Sequence, residues 1–304
     1  MGFVVPSRFC GPPESGNGGW VSGHLAALLA PGPDESVTVR LRTPPPLDRE
    51  LQVVHGRSDG LRTLEVADGE HPVAQATTGA ALEPTGIPAP VSFAAAVTAG
   101  AGYEGLADHP FPTCFSCGTD REPGDGLRLR PGRVAGGAGE YAAAWVPAAD
   151  VTLETVWAAL DCPGGWASGI AGRPMVLGTM TAQVVSLPMV GEEHVVMAWP
   201  RGDGGRKAST RKFLSGTALF SSADGRLLAQ AEATWIAINL HAFRDSGAFR
   251  DPGAVRDPGA VRDPGAVRDP GAVRDPGAVR DPGAVRDPGA VRDPSAVRPA
   301  GGTT

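Results

Sequence analysis

The sequence predicts an α+β protein built from two related units, followed by a tail with no core of its own. Two observations carry the fold class. Four short motifs recur in the same order in the two halves, and each half reads as one helix followed by β-rich runs joined by hairpin turns. A third sets the boundary: from Arg244 a six-residue unit runs nine times, as RDSGAF, seven copies of RDPGAV and RDPSAV, before a closing RPAGGTT.

The first echo is Gly18-Gly19-Trp20-Val21-Ser22-Gly23 against Gly164-Gly165-Trp166-Ala167-Ser168-Gly169, five of six residues identical and both read as helix openings. Next, Thr38–Val53 aligns with Thr181–Val196 at an offset of 143, each a β-rich run, a proline break and a second β run. Gly56-Arg57-Ser58 then answers Gly205-Arg206-Lys207. Finally, Asp68-Gly69 leads to Ala74-Gln75-Ala76 as Asp224-Gly225 leads to Ala229-Gln230-Ala231. Composition alone would not preserve that order.

In the first half the helix is expected over Trp20–Leu29, with strands near 36–43, 50–57, 61–67 and 72–78. In the second, a strand near 139–146 precedes a helical stretch from Thr152, and strands follow near 176–186, 194–200, 208–221 and 226–238. Consecutive strands with Asp-Gly turns imply antiparallel hairpins, which disfavours a doubly wound parallel sheet. One helix per sheet would lay its apolar stripe on one face. Two such units pair most simply side by side, as one continuous sheet. The boundaries drawn are 1–80 for the first unit, 81–138 for a connecting segment, 139–243 for the second unit and 244–304 for the tail.

The tail repeat offers one valine per unit, too little burial to offset the entropy of ordering the rest, and Asp-Pro-Gly is turn chemistry. A hexapeptide β-helix would keep the valine spacing, but proline in every coil would delete a ladder hydrogen bond each time. The tail is therefore expected to be disordered.

Of 27 basic and 33 acidic residues the tail holds 10 Arg and 9 Asp, so the body carries 17 against 24, a net −7. An acidic body gives no general reason to bind nucleic acid. No apolar run approaches a membrane span, and the start, MGFVVPSRFCGPPESG, has no secretory pattern. A cytoplasmic protein is expected. Four cysteines, Cys10, Cys114, Cys117 and Cys162, are too few for a disulfide scaffold. Cys114 and Cys117 form one CxxC, half of a tetrahedral zinc site, which Cys10 and Cys162, or His109, would have to complete. The pair is read as a tight turn, and neither metal nor cofactor is assigned.

At this point the residues resemble a known family. The order helix, strand, proline break, strand, Gly-Arg turn, strand, Asp-Gly hairpin, strand is similar to that of the hotdog-fold acyl-CoA thioesterases, nearest the double-hotdog, thioesterase II type. Asn17-Gly18-Gly19-Trp20 resembles the family's helix opening, Gly205–Lys212 (GRKASTRK) its GRS-x-x-TRR strand entry, and Leu160-Asp161 the stretch holding its catalytic Asp. The likeness covers most of residues 15–80 and 140–238. It implies tandem hotdog folds, each an antiparallel sheet wrapped around a central helix, joined as a pseudo-dimer. It also implies an acyl-CoA or acyl-carrier ligand, with coenzyme A entering as part of the substrate. A homodimer of the double unit is left open. The family's accessory Gln and Ser or Thr have no clear counterparts; Gln230, Glu232, Thr179 and Thr181 are the nearest residues, and Pro163-Gly164-Gly165 after Asp161 departs from the pattern.

Thioester hydrolysis needs a polarised carbonyl and an activated water. Unpaired N–H groups at the Gly18-Gly19 helix start could supply the first; equally, the glycines could only let the helix pass tightly under its sheet. Asp161, under Trp157 and Trp166, is the candidate general base, or else an N-cap. A site joining Asn17, Gly18 and Gly19 to Asp161 would draw on both halves. Trp20, Gly164, Gly165 and Trp166 are read as substrate-binding, and Arg206, Lys207, Arg211 and Lys212 as a basic cluster suited to the phosphates of coenzyme A or as a solvated hairpin. Glu14 and Glu154 are weaker acids, and His24 is read as structural. A non-catalytic acyl-CoA or acyl-carrier binder is the alternative. A hotdog dehydratase is set aside, because such enzymes resemble one another in pairing a catalytic His with an acid, and apart from His24, read as structural, no His lies near either Gly-Gly-Trp.

Overall fold

The computed structural model describes residues 2–148, 151–202 and 211–240, all within one compact unit, Met1–Ala254. The repeat tail, Arg206 and Lys207 lie outside the described residues.

The chain runs through β1 (Gly2–Val4), α1 (Gly18–Leu29), β2 (Glu35–Leu41), β3 (Glu50–Ser58), β4 (Leu61–Asp68) and β5 (His71–Ala80). It continues through α2 (Phe93–Ala101), β6 (Gly132–Arg133), β7 (Tyr141–Trp145), α3 (Leu153–Ala167), β8 (Met175–Val184), β9 (His194–Arg201), β10 (Lys212–Ser221) and β11 (Leu227–Ala237). The strands form one antiparallel sheet of 11, ordered β1-β3-β4-β5-β2-β8-β11-β10-β9-β7-β6. Local chemistry sets the hairpins. Asp59 and Gly60, at φ 50° and 82°, make the two-residue turn between β3 and β4, the left-handed pair whose twist suits a hairpin. Gly69 (φ 59°) opens the turn between β4 and β5, where Asp68 faces His71.

The strand order reads the same from either end: β2 answers β8, β5 answers β11, β4 answers β10, β3 answers β9 and β1 answers β7, with β6 added at one edge. The centre lies between β2 and β8, where Val37 faces Ala182, Thr38 faces Thr181 and Val39 faces Met180. Thr38 and Thr181 are the residues aligned by the second sequence echo, and their hydroxyls meet at 2.9 Å. Strands β2 and β8 are hydrogen-bonded to each other, so the sheet is continuous across this seam.

Helix α1 packs on β2, β4, β5 and β8, and α3 on β7 through β11; the two helices also pack on each other. Asn17 caps α1, its side chain accepting from the Trp20 N–H, and Ala30 ends the helix in the left-handed conformation (φ 47°). Thr152 and Thr155 close a reciprocal capping box at the start of α3. The core fills with Val21, Leu25, Val39, Leu51, Leu64, Trp157, Leu160, Trp166, Met180 and Leu219, all nearly inaccessible.

Three expectations need correction. Gly164-Gly165-Trp166 does not open a helix: α3 begins at Leu153, and these residues form its last turn. The first Gly-Gly-Trp opens α1, so the two copies occupy opposite ends of their helices. Asp161 is not an N-cap either, since it lies well inside α3, whose cap is Thr152. Pro163 also lies inside this helix, where its ring nitrogen cannot donate to the Ala159 carbonyl. Finally, α2, for which the sequence predicts no element, is an alanine-rich helix capped by Ser92.

Candidate functional site

The site forms where the start of α1 meets the middle of α3. Asp161 is buried, at 3% exposure. Its Oδ2 accepts from the Gly19 N–H at 2.9 Å and from Asn17 Nδ2 at 3.1 Å, while Oδ1 is buried with no hydrogen-bond partner among the described residues. Burial pushes the carboxyl up to about 7, opposed by the Gly19 and Asn17 donors and reinforced by Cys114. Asn17 is itself buried and fixed twice more, its Oδ1 accepting from Trp20 N–H at 2.8 Å and its backbone N–H donating to the Phe9 carbonyl at 2.7 Å.

This meeting depends on glycine. A Cβ on Gly19 would lie 2.4 Å from Asp161 Cβ and 2.6 Å from the Trp157 carbonyl, and one on Gly23 would lie 2.6 Å from Glu154 Cα. Gly19 and Gly23 thus let α1 and α3 touch backbone to backbone, which accounts structurally for Gly19 of the first glycine pair. Gly164 and Gly165 face the sheet instead, against Ser215 and Trp235. The expected donor set is changed as well: Gly19 N–H is held by Asp161 and Trp20 N–H by Asn17. Of the helix-start glycines, Gly18 is the one that faces the adjoining pocket.

That pocket, about 210 Å³, is lined by Asn17, Gly18, Asp161, Cys114, Cys117, Cys162, His109 and Trp166 at one end. Apolar side chains make its walls, among them Leu41, Phe111, Ile170, Met175, Leu177 and Ile236. Both halves and the connecting segment therefore contribute. Trp20 does not line it; it stacks on Phe9 and His24, with ring centroids 4.1 and 5.7 Å apart. Neither do Gly164, Gly165, Arg211 or Lys212, the last two standing exposed at the start of β10. Three of the accessory residues weighed from the sequence are engaged elsewhere. Thr181 holds the seam, Gln230 donates to the Leu82 carbonyl at 2.9 Å, and Glu232 pairs with Arg201. Glu154 accepts from His24, 3.1 Å away, and Glu14 is exposed.

Sequence reasoning did not place the sulfur-rich end of the pocket. Cys114 Sγ lies 3.5 Å from Cys162 Sγ, and Cys117 Sγ lies 3.4 Å from His109 Nε2. Hydrogen bonds from its cysteine neighbours and backbone hold Cys114 well below the usual thiol range, while Cys117 and Cys162 are pushed up. His109, remote from both Gly-Gly-Trp motifs in sequence, packs edge-on against Trp166 with centroids 5.3 Å apart. Its Nδ1 accepts from Phe111 N–H at 2.9 Å. The signal available in the sequence was the CxxC with His109 and Cys162, residues whose convergence only the fold decides.

No family model matches the chain, and no curated protein matches its sequence. Solved structures do. A conserved protein of unknown function with a hot dog fold from Alicyclobacillus acidocaldarius superposes with a TM-score of 0.51 at 15% identity, over 78% of this chain and 92% of that one. A candidate thioesterase II from Thermobifida fusca gives 0.50 at 15% identity, over 78% and 92%. An N-terminal dehydratase from the difficidin assembly line gives 0.54 at 10% identity, over 82% and 96%. With a single large antiparallel sheet and few helices, these likenesses show that the chain has the hotdog fold.

Proposed function

We propose that the chain is a tandem duplication of two hotdog units, each sheet wrapping a central helix (α1 and α3), and that it hydrolyses an acyl-CoA thioester. The palindromic strand order about Thr38 and Thr181 supports the duplication. The observation that carries the activity is Asp161: a buried carboxylate at the wall of an apolar pocket, oriented through Oδ2 by Gly19 and Asn17, with Oδ1 unpartnered among the described residues. The thioesterase resemblance of the sequence and the structural likeness to a candidate thioesterase II point the same way.

In this reading Oδ1 of ionised Asp161 takes a proton from water, whose oxygen attacks the thioester carbon. The developing oxyanion is stabilised at the Gly18 end of α1, where the helix dipole is positive. The C–S bond then breaks, and the proton passes to the departing coenzyme A sulfur. The carboxylic acid product and coenzyme A then leave. Coenzyme A enters as part of the substrate, its phosphates drawn to the basic run of which Arg211 and Lys212 are the described members. The dehydratase likeness would require a histidine free to move a proton. His109 has both ring nitrogens engaged, by Phe111 N–H and by Cys117 Sγ.

The test is a panel of acyl-CoAs of increasing chain length. Wild-type protein should hydrolyse at least one, and Asp161→Asn should lower kcat by about 10²–10⁴-fold, the usual worth of a general base, while still binding the acyl-CoA. Wild-type protein that binds members of the panel and hydrolyses none would establish instead a non-catalytic acyl-CoA or acyl-carrier binder.

A further inference from the structure

Three cysteines drawn from two parts of the chain converge at the inner end of the pocket. Cys114 and Cys117 come from the connecting segment and Cys162 from α3, and their sulfurs all lie within 4.8 Å of one another. All are buried, free thiols. We infer that Cys114, Cys117 and Cys162 bind one soft divalent cation of zinc's class, with the fourth position facing the pocket beside Asn17 and Asp161. This revises the sequence reading of the CxxC as a turn without metal.

The spacing fits. Tetrahedral zinc–thiolate bonds of about 2.3 Å place neighbouring sulfurs about 3.8 Å apart, and Cys114 and Cys162 already stand 3.5 Å apart. Soft thiolates select zinc over calcium or magnesium. Three thiolates and a dication leave one negative charge, and the surroundings supply N–H donors for it. Asn17 Nδ2 lies 3.6 Å from Cys114 Sγ and 3.9 Å from Cys162 Sγ, and His109 Nε2 lies 3.4 Å from Cys117 Sγ. Such outer donors are what thiolate metal sites require. His109 belongs to this outer set. Phe111 N–H points at its Nδ1, so Nε2 carries the proton and has no lone pair for a metal.

A second observation concerns the connecting segment itself. Between Leu106 and Gly132 it contains no helix or strand, yet it is packed into the core through Phe111, Phe115 and Leu129. Ser116 Oγ ties it to α3 by donating to the Ala158 carbonyl at 2.6 Å. A long irregular segment inside a domain is uncommon and usually functional, and a metal joining Cys114 and Cys117 to Cys162 would tie it to α3. The inference stands apart from the hydrolysis reading, since the same site could be structural.

The test uses the full chain, purified without chelators under reducing conditions. Elemental analysis should find one zinc per chain. Cys114→Ser, Cys117→Ser and Cys162→Ser should each fall to near none, and Cys10→Ser, whose thiol points at Thr113, should keep it. Adding Co²⁺ to chelator-stripped wild-type protein should give thiolate-to-cobalt charge-transfer absorption in the near ultraviolet. Wild-type protein that holds no zinc and develops no such band would overturn the assignment, as would a Cys114–Cys162 disulfide in the reduced preparation, or full zinc retention in Cys114→Ser and Cys162→Ser. None of these readouts depends on turnover.

Discussion

The Gly19 N–H donates to Asp161 Oδ2 at 2.9 Å, joining the first turn of one helix to the interior of another 142 residues away in sequence. The same contact fixes how closely the helices approach, so the site and the helix packing share one residue.

Gly19→Ala should therefore be costly. Its methyl group would sit 2.4 Å from Asp161 Cβ with backbone immediately behind, and overpacking of this kind costs about 1–3 kcal/mol or more. Denaturant unfolding should show that loss. Gly32→Ala, whose nearest neighbour is the Glu35 carboxylate at 3.7 Å, should change stability by less than about 0.5 kcal/mol.

The sheet seam can be tested by a double-mutant cycle on Thr38→Val and Thr181→Val. The two hydroxyls meet across β2 and β8 at 2.9 Å. A coupling of about 0.2–1 kcal/mol is expected for such a cross-strand pair, and strict additivity of the two single variants would contradict the register.

Glu154 gives a pH dependence. Its hydrogen bond with His24 above all, helped by Thr152 and its own backbone, holds the carboxyl down to about 2 against an ordinary 4.5, although burial opposes the shift. A depressed folded-state value stabilises the protein above pH 4.5 and is lost as pH falls towards 2. Glu154→Gln should cost up to about 1.5–3 kcal/mol at neutral pH, the range for a hydrogen bond to a charged group. The difference from wild type should shrink in acid, as thermal unfolding across that range would record.

In the second half, Trp235 Nε1 donates to Ser215 Oγ at 3.0 Å, and both residues are buried. Ser215→Ala would strand the indole N–H in the core, an unmet donor worth about 1–3 kcal/mol. Ser215→Thr would keep the hydroxyl but crowd Gly164, where even an added Cβ would lie only 2.6 Å from Ser215 Oγ. A lower Tm is expected for both variants.

The strands were legible because period and turn chemistry are local. Asp-Gly turns and β-branched runs place β2 to β5 and β8 to β11 close to where the sequence puts them, and the echo at offset 143 aligns the two threonines that meet at the seam. The order of echoes was informative, whereas the identity of one was not: Gly18-Gly19-Trp20 and Gly164-Gly165-Trp166 look alike and sit at opposite helix ends. Helix boundaries depend on caps, and here the Thr152 and Thr155 box starts α3 early enough to carry it through Pro163.

The sequence alone thus determined the antiparallel α+β architecture and the residues worth weighing at its centre, because turns, caps and periodicity are set by near neighbours. Only the tertiary structure decided which of those residues meet. Asn17 reaches Asp161, while Trp20 and the basic pair at Arg211 and Lys212 stand away from the pocket. Cys114, Cys117 and Cys162 converge although 45 residues separate the last two. Contacts at such separations depend on how an irregular segment packs between two helices and a sheet, which no local pattern encodes.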